Sequence, residues 1–228
     1  MSIEALKQAA AEKAVEQVHD GMILGLESGS TLSYAIRKIG VRWQAGELRN
    51  IIGIPTSEKT AHLAQEYDLP LGNLADYPRL DLAIDGADEV DPALNLIKGL
   101  GGALLREKMV EQTADHFIVV VDHTKLVNIL GSRGPLPVEV TKFGWRHQAR
   151  WLAEHIGCNP VLRGGETQPV VTDNSNYILD CHFPNGISNP AELAAVLRNR
   201  TGVVEHGLFL DMADEAIVAT AEGVHVIK

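Results

Sequence analysis

Residues 80–109 read LDLAIDGADEVDPALNLIKGLGGALLREKM, and the order of apolar, acidic and glycine-rich pieces in this stretch decides what kind of fold to expect. Leu82-Ala83-Ile84 is a short uninterrupted apolar run, which suits a buried parallel strand, and Asp85-Gly86 ends it with a turn signal. The acidic groups therefore stand at a strand's carboxyl end. A loop runs on to Ile97, Lys98-Gly99-Leu100-Gly101-Gly102 makes a glycine-rich turn, and Ala103 to Val110 restarts as a helix. Asp85, Asp88, Lys98 and Glu107 are thereby gathered around one turn. Glycines permit positive φ and close approach of backbone N–H groups to a ligand, while a helix amino terminus favours anions. The set suits chemistry on a small anion in which enolate charge develops. Taken singly, Asp85-Gly86 reads as a turn, Asp88-Glu89 as a solvated loop edge and Glu107 as a surface helix residue. Their concentration beside Lys98 favours a site.

Outward from this stretch, strands and helices alternate. Ile3 to Val18 has helical spacing of apolar residues, with Ser2 as N-cap and Asp20-Gly21 closing it. Met22 to Leu26 reads as a buried strand, Glu27-Ser28-Gly29-Ser30-Thr31 interrupts it, and Leu32 to Ile39 is helical. Strand, Gly/Ser/Thr turn and helix form the arrangement of a phosphate cradle. A plain turn with Ser30 or Thr31 as N-cap fits that piece equally well. Asn50 to Ile54 begins another strand, followed by a helix through about Tyr67 and a short strand between Leu69 and Leu74. Phe117-Ile118-Val119-Val120-Val121 is the most β-branched run and ends in Asp122-His123-Thr124-Lys125. This alternation predicts an α/β fold, a doubly wound, mostly parallel, Rossmann-like sheet, with ligands bound outside the strands' carboxyl ends. Ser28 to Thr31, Asp85, Asp88 and Lys125 all fall at such ends.

After Gly131-Ser132-Arg133-Gly134-Pro135 the pattern becomes strand (Leu136–Phe143), helix (Arg146–Ile156), strand (Pro160–Arg163), then a strand, turn and strand from Val170 to Cys181. A helix from Pro190 to Arg200 and a strand from Val203 to Leu210 complete it. That order predicts a smaller ferredoxin-like α+β domain over 132–206, inserted in a main domain of 1–131 plus 207–228. Trp145 and Trp151 read as core or interface anchors, and the tail from Glu215 as a hairpin returning to the main domain.

Hydrophobic residues at 45% and charged residues at 22% are globular values. A net charge of -10 without any basic block argues against a nucleic-acid partner, but not against a small phosphorylated substrate held by a few placed donors. No segment approaches the roughly 20 apolar residues of a membrane span, and the amino terminus lacks a signal peptide's apolar core, so a soluble cytoplasmic protein is expected. Cys158 and Cys181 are expected reduced. Nine histidines occur without His-x-x-x-His spacing, so no catalytic metal is expected.

Ser28-Gly29-Ser30-Thr31, Asp85-Gly86-Ala87-Asp88-Glu89, Lys98-Gly99 through Gly102-Ala103, Arg106-Glu107-Lys108, Leu136-Pro137-Val138-Glu139-Val140 and Val171-Thr172-Asp173-Asn174 together resemble the ribose-5-phosphate isomerases of the A type, in order over nearly the whole chain. The resemblance implies interconversion of ribose 5-phosphate and ribulose 5-phosphate in the pentose phosphate pathway, without metal or organic cofactor, in a homodimer or homotetramer. It implies that Glu107 is the general base, that Lys98 stabilises charge on substrate oxygens, and that Asp85 and Asp88 handle hydroxyl protons and ring opening. Ser28, Gly29, Ser30, Thr31, Gly86, Ala87, Gly99, Leu100, Gly101, Lys125 and Lys7 fall on its substrate and phosphate contacts. Glu27 stands where the family commonly has a small residue or glycine, and Leu100 interrupts the glycine run. Other functions compatible with such a fold are a phosphosugar sensor without turnover and an isomerase or deaminase of phosphorylated amino sugars. The pairing of Glu107 with Lys98 favours catalysis, since sensing needs no base.

Overall fold

Short apolar runs become strands here because helices cover them, and the computed structural model, which describes residues 2–228, shows the alternation directly. In chain order the elements are α1 (Ile3–Val15), β1 (Ile23–Leu26), α2 (Ser30–Gln44), β2 (Ile52–Pro55), α3 (Glu58–Gln65), β3 (Leu82–Asp85), β4 (Glu89–Val90), β5 (Leu96–Ile97), α4 (Leu104–Glu111) and β6 (Phe117–Asp122). They continue with β7 (Leu136–Val140), α5 (Trp145–Trp151), β8 (Asn159–Leu162), β9 (Tyr177–His182), α6 (Pro190–Arg198), β10 (Val203–His206), β11 (Leu208–Phe209), β12 (Glu215–Thr220) and β13 (Gly223–Ile227). The chain divides into two compact units, one of residues up to Ala87 with Arg106–Lys125 and Met212–Lys228, the other of Asp88–Leu105 and Leu126–Asp211.

The first unit is built on a six-stranded sheet in the order β13-β12-β6-β3-β1-β2. All neighbours are parallel except the β12–β13 hairpin at the edge. The pleat sorts the side chains: Leu24 and Leu26 of β1, with Leu82 and Ile84 of β3, join the core formed with α1 and α2. Gly25 faces the other way, and a Cβ there would stand 2.7 Å from Val110, so the bare glycine lets α4 lie against β1. Ser2 caps α1 by accepting from the Ala5 amide, as its position predicts, although the helix ends at Val15 rather than Val18. Between Leu69 and Leu74 the expected strand is reduced to one bridge, Gly53 to Leu71.

The second unit holds a four-stranded antiparallel sheet in the order β10-β7-β9-β8, with α5 after β7 and α6 after β9. Counted within the unit this is strand order 4-1-3-2 with a β-α-β-β-α-β succession, the ferredoxin-like layer that the sequence predicts. Trp145 and Trp151 pack against its core, and Trp145 meets Tyr177 edge-on. The stretch between Gly86 and Ile97 is not the plain loop expected: β4, β5 and β11 pair antiparallel into a small sheet, so residues 88–105 and 207–211 count with this unit. Two-residue strands are too short to leave a periodic signal.

Candidate active site

In the first unit, β2 lies on one side of β1 and β3 on the other, so the winding reverses between β1 and β3. The carboxyl ends at such a reversal form a crevice for ligands. Ser28 to Thr31 follow β1, and Asp85 to Ala87 close β3, so the sequence motifs stand at that point. Gly29, at φ 144°, turns the chain, and α2 starts at Ser30 with no side chain capping it. Ser30 and Thr31 are therefore not N-caps, and a first helical turn that no side chain caps is an arrangement that favours an anion. Ser28 Oγ donates to Ser57 Oγ at 2.7 Å, which ties this loop to the start of α3.

Lys7, the least distinctive sequence candidate, reaches the same loop. Its Nζ donates to Ser30 Oγ at 3.1 Å and to Glu4 at 2.8 Å. The Lys7 ammonium and the Tyr34 hydroxyl hold the Glu4 carboxyl below its usual range. Lys125 closes a short 3-10 turn, His123–Lys125, at the end of β6. The turn is shaped by Asp122, whose carboxylate accepts from the Thr124 amide and hydroxyl.

Asp85 is buried and accepts from the Gly86 amide at 2.6 Å. The alternation that turns Gly25 toward α4 also turns Asp85 and Glu27 that way, and with Glu111 of α4 they offer oxygens within 4.8 Å of one another, all three buried. Among the described residues this is the group able to hold a cation. Glu111 was not singled out by the sequence, although its spacing from Glu107, one turn earlier on the same helix face, is the available signal. Glu107 is itself buried.

In the second unit, Asp88 Oδ2 accepts from the Leu100 amide at 3.0 Å, so the second aspartate of the motif meets the glycine-rich turn. Lys98 is buried, its Nζ 5.2 Å from the centre of the Phe209 ring, and its amide donates to Gly207 at 2.9 Å. Gly99 has φ 107°, and a Cβ there would stand 2.7 Å from Leu104. Gly102 donates to Gly99 and closes the turn over Leu100 and Gly101. A further residue that the sequence left as a loop edge is Glu89. It is buried, and its carboxylate accepts from the amides of Gly131, Arg133 and Gly134.

The model of the family described as ribose 5-phosphate isomerase A (phosphoriboisomerase A) matches residues 52–223. The chain belongs to the ribose 5-phosphate isomerase A family. Relatives of that family match end to end: ribose-5-phosphate isomerase A of Synechococcus sp. is 50% identical, covering 100% of this chain and 98% of its own. A probable chloroplastic ribose-5-phosphate isomerase of Arabidopsis thaliana is 51% identical over 100% of this chain and 84% of its own. The solved ribose 5-phosphate isomerase A of Methanocaldococcus jannaschii superposes with a TM-score of 0.93 at 43% identity over the whole of both chains. A D-ribose-5-phosphate isomerase solved with phospho-erythronic acid gives 0.96 at 42%, again over the whole of both. The family expected from the motifs is thus the family found, and the Rossmann-like and ferredoxin-like layers are the family's fold. No helix among the described residues is long and apolar enough to cross a membrane.

Proposed function

We propose that this chain interconverts ribose 5-phosphate and ribulose 5-phosphate through an enediolate. The observation that carries the reading is the phosphate-cradle geometry at the sheet's reversal point, with a buried aspartate on the adjacent strand end, in a chain of this family. Ser28, Gly29, Ser30 and Thr31 bind the phosphate through amides and hydroxyls at the start of α2, with Lys7 and Lys125 supplying positive charge. Asp85 and Asp88, with Gly86 and Ala87 between them, take the sugar hydroxyls and move the proton that opens the ring. Glu107 removes the proton from C2 and returns it to C1. Lys98, with the Gly99-Leu100-Gly101 backbone, stabilises the oxyanion. An α-proton of a sugar is weakly acidic, so a held carboxylate and a cation at the developing charge are what the reaction requires. A sugar-acid phosphate such as that bound by the solved relative carries a phosphate and a planar anion, the two charged ends of such an intermediate. The non-oxidative pentose phosphate pathway is the setting for this reaction.

The two buried thiols, Cys158 and Cys181, suit the reducing cytoplasm. Assembly into a homodimer or homotetramer is supported by exposed apolar side chains such as Phe143, which is 94% exposed. Light scattering tests that assembly. The reaction is tested by following ketose formation from ribose 5-phosphate, beside a phosphorylated amino hexose, with chelator present. Conversion of the pentose phosphate alone is expected. A folded protein that binds ribose 5-phosphate and forms no ketose would make it a sensor.

A further inference from the structure

Arg163 stands just after β8, outside every motif that carries the chemistry, yet its side chain is largely buried and all three guanidinium nitrogens donate hydrogen bonds. Nε and Nη2 donate to the two oxygens of Asp180 on β9, at 2.9 and 2.5 Å. That bidentate contact fixes the plane of the fork, and Nη1 then points at the glycine-rich turn. It donates to the carbonyl oxygens of Gly99 at 2.8 Å and Leu100 at 3.1 Å. The Leu100 amide meanwhile donates to Asp88 Oδ2. Leu100 is thus held from both sides, its N–H by Asp88 and its C=O by Arg163. The backbone at Arg163 is anchored in turn, donating to Ile178 and accepting from Val170.

We propose that Arg163 is a positioning residue for the isomerisation: it grips the Gly99 and Leu100 carbonyls and so sets the turn that presents Lys98 and orients Asp88. This rests on the roles given above to Lys98 and Asp88. A turn holding Gly99, Gly101 and Gly102 loses more backbone freedom on ordering than other sequences, so it holds one shape only when external donors and acceptors fix it. A fold staple would need only the Asp180 pair. The two carbonyl contacts are additional to it, and they fall on the residues between the lysine and the second positive-φ glycine.

Arg163→Lys separates these functions, because one ammonium cannot span Asp180 and both carbonyls. Misplacing a catalytic group by about 1 Å can cost about 100-fold, so kcat should fall roughly 10- to 100-fold with KM for ribose 5-phosphate nearly unchanged. Hydrogen exchange at the Leu100 amide should quicken. The loss should also be non-additive: in a Lys98→Met background Arg163→Lys should cost less than in the parent, because one of the two residues that the turn places is gone. Asp180→Asn, which loosens the orientation of the fork, should give a smaller loss of the same kind and serves where Arg163→Lys does not fold. Parental kcat in the folded variants, or an equal loss with and without Lys98, overturns the proposal. If Lys98→Met itself turns over at the parental rate, the assignment of Lys98 fails, and unchanged exchange at Leu100 then decides against Arg163 independently.

Discussion

Replacing Glu89 with alanine removes the acceptor on which the segment from Gly131 to Gly134 closes. Oε2 accepts from Gly131 at 2.5 Å, and Oε1 from Arg133 and Gly134 at 2.8 and 2.9 Å. Gly131 is buried, so its amide would lose its partner outright, at about 2–3 kcal/mol for a bond to a charged group. Arg133 is exposed and Gly134 half-buried, so water re-satisfies them at a net cost of about 0.5–1 kcal/mol each. The sum is about 3–5 kcal/mol, and at roughly 2–4 °C per kcal/mol for a chain of this size the melting temperature should fall about 10 °C. Glu89→Gln is the sharper control. Its amide oxygen can serve either Gly131 or the other two amides, and its NH2 then opposes a donor, so it should recover little more than half of the loss. Thermal and urea unfolding of both variants read these values. A loss below about 1 kcal/mol in Glu89→Ala would mean that the three amides find equal partners without the carboxylate, and would refute the reasoning.

Other positions give independent checks. Gly40→Ala places a Cβ 2.3 Å from Tyr67 Cγ, so the clash should outweigh the helix propensity gained and destabilise by about 1–3 kcal/mol; a raised melting temperature would mean that α2 is free to shift. For Glu215, burial pushes the carboxyl up, but the Gln17 amide, Lys228 and nearby His116 outweigh it and hold the group below its ordinary 4.5. A lowered carboxyl stabilises the fold above its unfolded value and ceases to do so as pH falls through the folded one. The stability difference between the parent and Gln17→Leu should therefore be constant above pH 4.5 and shrink below it, and a pH-independent difference in acid denaturation would contradict this. Turnover should persist in chelator. Loss restored by one divalent ion, with binding of that ion abolished in Glu111→Gln, would place a metal on the Glu27, Asp85 and Glu111 carboxylates.

What the sequence made legible follows from burial. Phe117 to Asp122 is buried at every position, and so is Leu82 to Asp85, which is why both read as continuous apolar strands without alternation. The turn from Ser28 to Thr31 was legible through its glycine and hydroxyls, since φ 144° at Gly29 is a backbone requirement that composition reveals. By contrast, β4 and β5 are two residues each, too short for a periodic pattern, and the strand that completes their sheet, β11 beside β5, lies over 100 residues further on. Glu89, Glu111 and Arg163 were hidden for a related reason. Each is an ordinary charged residue in sequence, and its importance comes from partners brought together by the fold. The approach of Glu27 to Asp85 is likewise a consequence of β1 and β3 being neighbours with a shared pleat, a fact of topology rather than of spacing.

The most direct test of the central claim is turnover of ribose 5-phosphate by Glu107→Gln, measured in deuterated water so that exchange of the C2 proton is read alongside ketose formation. Glutamine keeps the shape of the side chain and removes the base. A folded variant that still binds the sugar phosphate is expected, with kcat reduced about 10²- to 10⁴-fold and proton exchange lost in step. A folded variant that isomerises or exchanges the C2 proton at the parental rate would show that another group takes the proton.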